Sequence, residues 1–195
     1  MKKTKIMEHT IEMKKALLAV AVLFTMMTAC TQNKPSQAVE NETETAVQAE
    51  VADSIDPQTK LENMQEVQAY LKECGVFYIA TADGDQPHVR PFGVSEIIND
   101  RLYIMTGKVK DVYKQMATNG KFEICALKPS GSEWLRLTGT LVNDETLTVK
   151  EEFLNRNESL KSMYKADDDN MAVLYITNAT ARFCSFAEPE RAVHF

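Results

Sequence analysis

Between Gln58 and Phe195 the apolar positions fall into short alternating runs broken by turn residues, with two or three helical stretches set between them. Leu61, Met64, Val67, Tyr70 and Leu71 recur at helical spacing, and Gly75 is placed to close that helix. Val76–Thr81 reads as a strand, Ala82-Asp83-Gly84-Asp85 as a hairpin turn, and His88–Ile98 as a second strand. Asn99-Asp100 turns the chain into a strand over Leu102–Thr106, and Lys108–Thr118 carries Val109, Val112, Tyr113 and Met116 on one side of a short helix. Strands follow at Phe122–Leu127 and Glu133–Leu141, a helix at about Thr146–Asn155 and a short one through Leu160–Tyr164. Two closing strands, Met171–Ile176 and Ala179–Phe186, end the pattern. There is no strand–helix alternation of the parallel kind and no internal repeat. The pattern therefore predicts a mainly β domain over residues 58–195, with about six antiparallel strands closed or partly closed into a small barrel, since closure removes exposed sheet edges.

The first 57 residues do not share this pattern. Lys14 and Lys15 precede an apolar run over Ala16–Phe24, too short to span a bilayer comfortably, which ends in Met26-Met27-Thr28-Ala29-Cys30. A basic start, a short apolar stretch and small residues before a cut make residues 1–29 a secretory signal, with Met13-Lys14-Lys15 suited to begin it. The Thr-Ala-Cys ending resembles the bacterial lipobox, with Met27 where leucine is usual; against an ordinary signal peptide or a membrane anchor that stays attached, that resemblance implies lipidation of Cys30 and attachment to the bacterial cell envelope, periplasmic or at the outer membrane. Residues 30–57 are polar and punctuated by Glu40, Glu42, Glu44, Glu50, Asp53 and Asp56, the composition of a flexible acidic tether.

Charge narrows the partners. Of 22 basic and 28 acidic residues, residues 1–29 hold five lysines and two glutamates, so the remainder carries 17 against 26, a net −9. Such a chain lacks the footprint of a nucleic-acid binder and of a polybasic membrane surface. Beyond Cys30 there are three cysteines, Cys74, Cys125 and Cys184, each in an apolar setting and none at metal-ligand spacing, which reads as three buried thiols with one disulfide still open to them.

No nucleophile motif, Walker loop, dinucleotide glycine fingerprint or metal cluster occurs in the sequence. Three local features carry chemistry instead. In Thr106-Gly107-Lys108-Val109-Lys110 a strand ends, a glycine bends the backbone, and a helix is expected to start among lysines; the N–H groups of a helix start favour a phosphate, against the simpler reading of a solvated basic face. In His88-Val89-Arg90-Pro91-Phe92-Gly93, alternation puts His88, Arg90 and Phe92 on one face, with Arg90 either forking a phosphate or simply an exposed strand arginine, and Pro91 pointing to a sheet edge or an irregularity. In Glu133-Trp134-Leu135-Arg136-Leu137-Thr138-Gly139, Trp134, Arg136 and Thr138 share one face while Leu135 and Leu137 take the core side, with Trp134 open to a core role too if its N–H finds a partner.

These segments, in this order and together with Val76–Thr81, Leu102–Thr106 and Lys108–Met116, resemble the pyridoxamine 5′-phosphate oxidase-like family in its short stand-alone branch. The resemblance runs from about Leu61 to the end of the chain. It implies a six-stranded antiparallel FMN-binding split barrel, a homodimer, and FMN at two sites on the dimer interface. Arg90, Pro91 and Phe92 would line the flavin, Thr106, Lys108 and Lys110 would hold its phosphate, and Trp134 and Arg136 would approach from the partner subunit. The arginine-containing substrate motif of the true pyridoxamine phosphate oxidases is missing from the closing Glu188–Phe195 segment. The implied function is thus an FMN-dependent oxidoreductase acting on a small molecule or electron donor, or alternatively a non-enzymatic FMN-binding or electron-carrier module.

Overall fold

The computed structural model describes residues 54–195; the expected signal segment, Cys30 and the tether as far as residue 53 lie outside the described residues. Among the described residues the helix α1 (Pro57–Cys74) comes first in the element order, and it starts on a proline whose fixed φ suits a first turn. It is capped by Asp56, whose carboxylate accepts from the Thr59 N–H at 3.0 Å. Gly75, at φ +71°, ends it as expected. Met64, Val67 and Leu71 face inward and the helix packs over the sheet.

Eight strands follow: β1 (Phe77–Asp83), β2 (Gln86–Phe92), β3 (Ser95–Ile98), β4 (Arg101–Gly107), β5 (Lys121–Leu127), β6 (Glu133–Asp144), β7 (Met171–Ser185) and β8 (Arg191–His194). Helix α2 (Asp111–Asn119) lies between β4 and β5. Helix α3 (Leu147–Arg156) and a 3-10 turn (Glu158–Ser162) lie between β6 and β7. All pairings are antiparallel, in the order β2-β1-β5-β6-β7-β4-β3, with β8 added beside β7.

The two ends of that order decide the architecture. β2 and β3 are outermost on opposite sides, yet only Gly93 and Val94 separate them in sequence. The three steps from Phe92 to Ser95 reach at most about 11 Å, so the sheet has to curl until its edges come close. The result is a barrel with one opening, between β2 and β3. The expected mainly β split barrel is present, with eight strands rather than six.

The alternation expected of barrel strands is visible residue by residue. Phe77 and Ile79 of β1, Phe122, Ile124 and Ala126 of β5, and Leu135 and Leu137 of β6 point inward, and meet Leu102 and Ile104 of β4 and Leu174 and Ile176 of β7 in the main core. β4 and β7 are buried on both faces. Their outward residues Tyr103, Met105, Met171 and Val173 pack against Val149, Phe153 and Leu154 of α3 and Leu160 of the 3-10 turn, forming a second core. Glu96 fastens this layer to α1: its carboxylate, buried on β3, faces Lys72 and Gln68 at 3.3 Å and Asn157 at 3.3 Å.

Several expectations change. His88–Ile98 is two strands, broken where the chain leaves one edge of the sheet for the other. The helix expected from Lys108 begins at Asp111, so Lys108 and Lys110 precede it, Lys110 being its N-cap. The two closing strands are one, β7, carrying a bulge where its pairing with β6 slips between Thr138 and Thr140 and Asn178 takes φ +51°. Gly139 is required there, because a Cβ would sit 2.8 Å from the Thr177 carbonyl oxygen. Of the three cysteines only Cys184 is buried; Cys74 is partly covered, Cys125 is exposed, and all three are free thiols.

Candidate functional site

A cavity of about 500 Å3 opens at the split. One wall is Arg90–Val94, the end of β2 and the crossover to β3. A second is Met105 and Thr106 of β4 with Lys110, Asp111 and Val112 at the start of α2. A third is Leu160, Met163 and Tyr164 from the 3-10 turn and the residues after it. The volume is within the usual range for small-molecule sites, about 300–1,000 Å3.

Edge position explains the first wall. Pro91 cannot donate to a ladder, and β2 is the one-sided strand where that costs nothing. The side chains of Arg90 and Phe92 share the inward face with His88, as alternation requires. The Phe92 ring rests 6.2 Å from that of Phe77, on the main core. Arg90 is held more exactly. Its Nη1 donates to Thr81 Oγ1 at 2.7 Å and its Nη2 to Gln115 Oε1 at 2.7 Å, while the Thr81 hydroxyl donates to the same Gln115 oxygen at 2.7 Å. Thr81 and Gln115 are 5% and 7% exposed.

The second wall is electropositive. The first N–H groups of α2 have no intrahelical acceptor, and Lys110 supplies no side-chain cap. The nearby carboxylate of Asp111 is paired with Lys114 at 2.8 Å, and that lysine, with the hydrogen bond it gives, holds the acid below its ordinary pKa. Thr106 is buried, 3% exposed, at the end of β4. The apolar remainder, Phe92, Val94, Met105, Leu160, Met163 and Tyr164, suits a flat, largely apolar body.

The structure thus brings Arg90, Pro91, Phe92, Thr106 and Lys110 to one cavity. Lys108 is directed elsewhere. Its ammonium meets Glu145 at 2.6 Å, and its backbone N–H donates to the Asn170 carbonyl at 2.7 Å. Glu145 also accepts from Lys150 at 2.7 Å, a lysine only 5% exposed. Hydrogen bonds from the two ammonium groups, that of Lys108 first, bring the Glu145 carboxyl from 4.5 down to about 2. A depressed acid contributes stability that is complete above its unfolded value and is lost as pH falls through its folded one. Denaturant midpoints at pH 5 and pH 2.5 should therefore fall further for the parent than for Glu145→Gln, whose amide does not titrate in that window.

Trp134 and Arg136 also lie away from the cavity, on the outward face of β6. Arg136 is paired with Glu123 of β5 at 2.6 Å, which raises its pKa further. The Trp134 ring packs 5.2 Å from Phe186, itself 82% exposed. Around them the same face of the sheet exposes Val76, Tyr78 and Leu127. Cross-strand register continues this face from Arg136 through Cys125 and Tyr78 to Pro91 at the cavity's lip.

Thr81, Gln115 and the wall around Leu160–Tyr164 were absent from the sequence-derived site. The first two had a signal: Thr81 is the polar member of the inward series Phe77, Ile79, Thr81, and Gln115 lies with Val112 and Met116 on the buried side of α2. The third had none, because its proximity comes from the packing of the 3-10 turn on β4.

Comparison with known proteins agrees with this architecture. The family model for pyridoxamine 5′-phosphate oxidase matches residues 64–185. A solved NimC/NimA family protein from Clostridium acetobutylicum is 42% identical with a TM-score of 0.69, over 71% of this chain and 96% of that one. General Stress Protein 26 from Bacillus anthracis shares the fold at 16% identity and TM-score 0.55, over 68% of this chain and 98% of its own. So does the general stress FMN/FAD binding protein from Xanthomonas citri, at 16% identity and TM-score 0.51, over 66% and 92%. No curated protein matches the sequence. The matched segment is more than half of the chain and contains all three walls of the cavity, so the chain belongs to the pyridoxamine 5′-phosphate oxidase family.

Proposed function

We propose that the cavity at the barrel's split binds FMN and that the protein is an FMN-dependent oxidoreductase acting on a small molecule. The observation that carries this reading is the division of one cavity into a cationic end, Arg90 and Lys110 beside the uncapped start of α2, and an apolar remainder. A phosphate monoester joined to a flat ring system has that division of charge. Two of the five N–H groups of Arg90 are used within the fold, which leaves three for an anion. Binding of the FMN/FAD class by the Xanthomonas citri protein of the same fold supports the choice of flavin. Bound FMN would supply the hydride or electron transfer. The chain's own part is to fix the phosphate with Arg90 and Lys110, to cover the ring with Phe92, Met105 and Tyr164, and to keep water from that apolar side.

The same reading makes the protein a homodimer through the exposed face that bears Val76, Tyr78, Leu127, Trp134 and Phe186. This face continues to Pro91 at the cavity's lip, so a second copy seated on it would bring its own Trp134 and Arg136 toward the flavin. The test is the purified protein's absorbance and turnover. Flavin bands with reduction and reoxidation coupled to an added acceptor support the enzyme. Flavin bands without turnover under any donor and acceptor tried favour the carrier. A protein that takes up no FMN removes both.

We further propose that the mature protein starts at lipidated Cys30 and is held at the cell envelope, on the strength of the Thr28-Ala29-Cys30 ending and the apolar run before it. Mass spectrometry of the membrane fraction should find an acylated peptide beginning at Cys30, and Cys30→Ser should release the protein. An intact peptide across Ala29-Cys30 in most of the protein would contradict this.

A further inference from the structure

The Thr81–Gln115–Arg90 arrangement is a closed ring of hydrogen bonds, all at 2.7 Å, built from three separate elements: β1, α2 and β2. Its polarity is fixed throughout. Arg90 can only donate, so the Gln115 group facing it has to be the carbonyl oxygen; the amide nitrogen there would set donor against donor. Thr81 Oγ1 accepts from Arg90 and therefore turns its own hydrogen to Gln115. Both partners are almost fully buried, while Arg90 reaches from them into the cavity. The ring uses the Nη1 and Nη2 groups by one N–H each and so fixes the plane of the guanidinium, which sets where its other donors point. An arginine on an edge strand would otherwise sample many rotamers, and ordering it would weaken any ligand it meets.

We infer that Thr81 and Gln115 are positioning residues for the cavity's anion site. They hold Arg90 in the orientation that receives a phosphate monoester, and the neutrality of Gln115 leaves the arginine's charge available to it. A carboxylate at position 115 would keep the geometry and cancel the charge. The inference rests on the reading that Arg90 meets the phosphate of FMN, and the experiment separates the two.

FMN and riboflavin are titrated against the full mature protein and against Arg90→Ala, Gln115→Glu, Thr81→Val and Thr81→Ser, with a thermal melt of each. Arg90→Ala should weaken FMN by roughly tenfold or more and leave riboflavin unchanged, since an arginine–phosphate contact is a charge-assisted bond. Gln115→Glu should weaken FMN by about as much, without loss of melting temperature, because the carboxylate pairs with Arg90. Thr81→Val should weaken FMN severalfold and Thr81→Ser should restore it, since serine returns the hydroxyl. If Gln115→Glu and Thr81→Val bind FMN as the parent does while Arg90→Ala does not, the positioning role is overturned and the phosphate reading stands. If Arg90→Ala itself leaves the FMN-to-riboflavin ratio unchanged, the phosphate reading fails and the inference with it. Equal loss of FMN and riboflavin in Thr81→Val and Gln115→Glu would also overturn it, by showing a purely structural role. Should Gln115→Glu fail to fold, the valine and serine pair at Thr81 decides.

Discussion

Replacing Arg90 and Lys110 together by alanine should lower FMN affinity by about a hundredfold and change riboflavin affinity by less than about threefold. Each side chain can give the phosphate a charge-assisted hydrogen bond, on the order of 1.5–3 kcal/mol, and every 1.4 kcal/mol is a factor of ten. The two act on one anion, so the double loss falls short of the sum of the single ones. The start of α2 remains, and its free N–H groups retain part of the affinity. Lys108→Ala should matter less than Lys110→Ala, because the Lys108 ammonium is already committed to Glu145 at 2.6 Å while Lys110 lines the cavity. Paired isothermal titrations give all of these values. Equal binding of FMN by the parent and the double variant would move the phosphate away from this wall.

The second large effect concerns assembly. Leu127→Arg should turn the dimer into a monomer at micromolar concentration and strip FMN from it, with little change in the fold's own stability. Leu127 is half exposed on the outward face of β5, so the substitution adds no volume to the core. In a dimer sealed across that face the same arginine would bury a charge with no partner, a cost of several kcal/mol. Its mirror copy would double that cost at a two-fold interface. Light scattering with and without FMN measures the first consequence, and flavin retention on gel filtration the second. A parent that is monomeric while saturated with FMN would contradict the dimer reading, and the outward Trp134 and Phe186 would then need another explanation.

The sequence was informative wherever one face of an element meets water. β1, β5 and β6 alternate cleanly because their outward residues are exposed, so Leu135 and Leu137 could be assigned to the core and Trp134 and Arg136 to the opposite face. Period-2 reading also bears on Cys125, between inward Ile124 and Ala126. Its apolar neighbours suggested burial, yet alternation turns it outward, and the structure agrees with alternation. β4 and β7 gave a weaker signal, since α3 and the 3-10 turn bury their second face as well. The break at Gly93-Val94 was hidden, because His88–Ile98 keeps β-forming residues on both sides and only the closing of the sheet separates them. β8 was hidden too. Its four residues, Arg191–His194, owe their conformation to pairing with β7 and to Asn63, whose amide donates to the His194 carbonyl at 2.8 Å.

For the site, local chemistry pointed to Arg90 and Lys110 because a strand arginine beside a proline and a lysine at a helix start are both recognisable in sequence. It also pointed to Lys108, and could not see that Glu145, thirty-seven residues further on, would take that ammonium. The hydrogen-bond ring around Arg90 has the same character. Thr81 and Gln115 were visible as polar residues on inward faces, but their meeting depends on how α2 packs against β1.

The most direct test is a comparison of FMN and riboflavin binding to the purified mature protein, followed by quenching of flavin fluorescence. A phosphate held at the cavity's cationic end predicts that FMN saturates the protein at micromolar concentration or below and that riboflavin, which lacks the phosphate, binds at least about tenfold more weakly. Riboflavin binding as tightly as FMN, or no uptake of either, would contradict it.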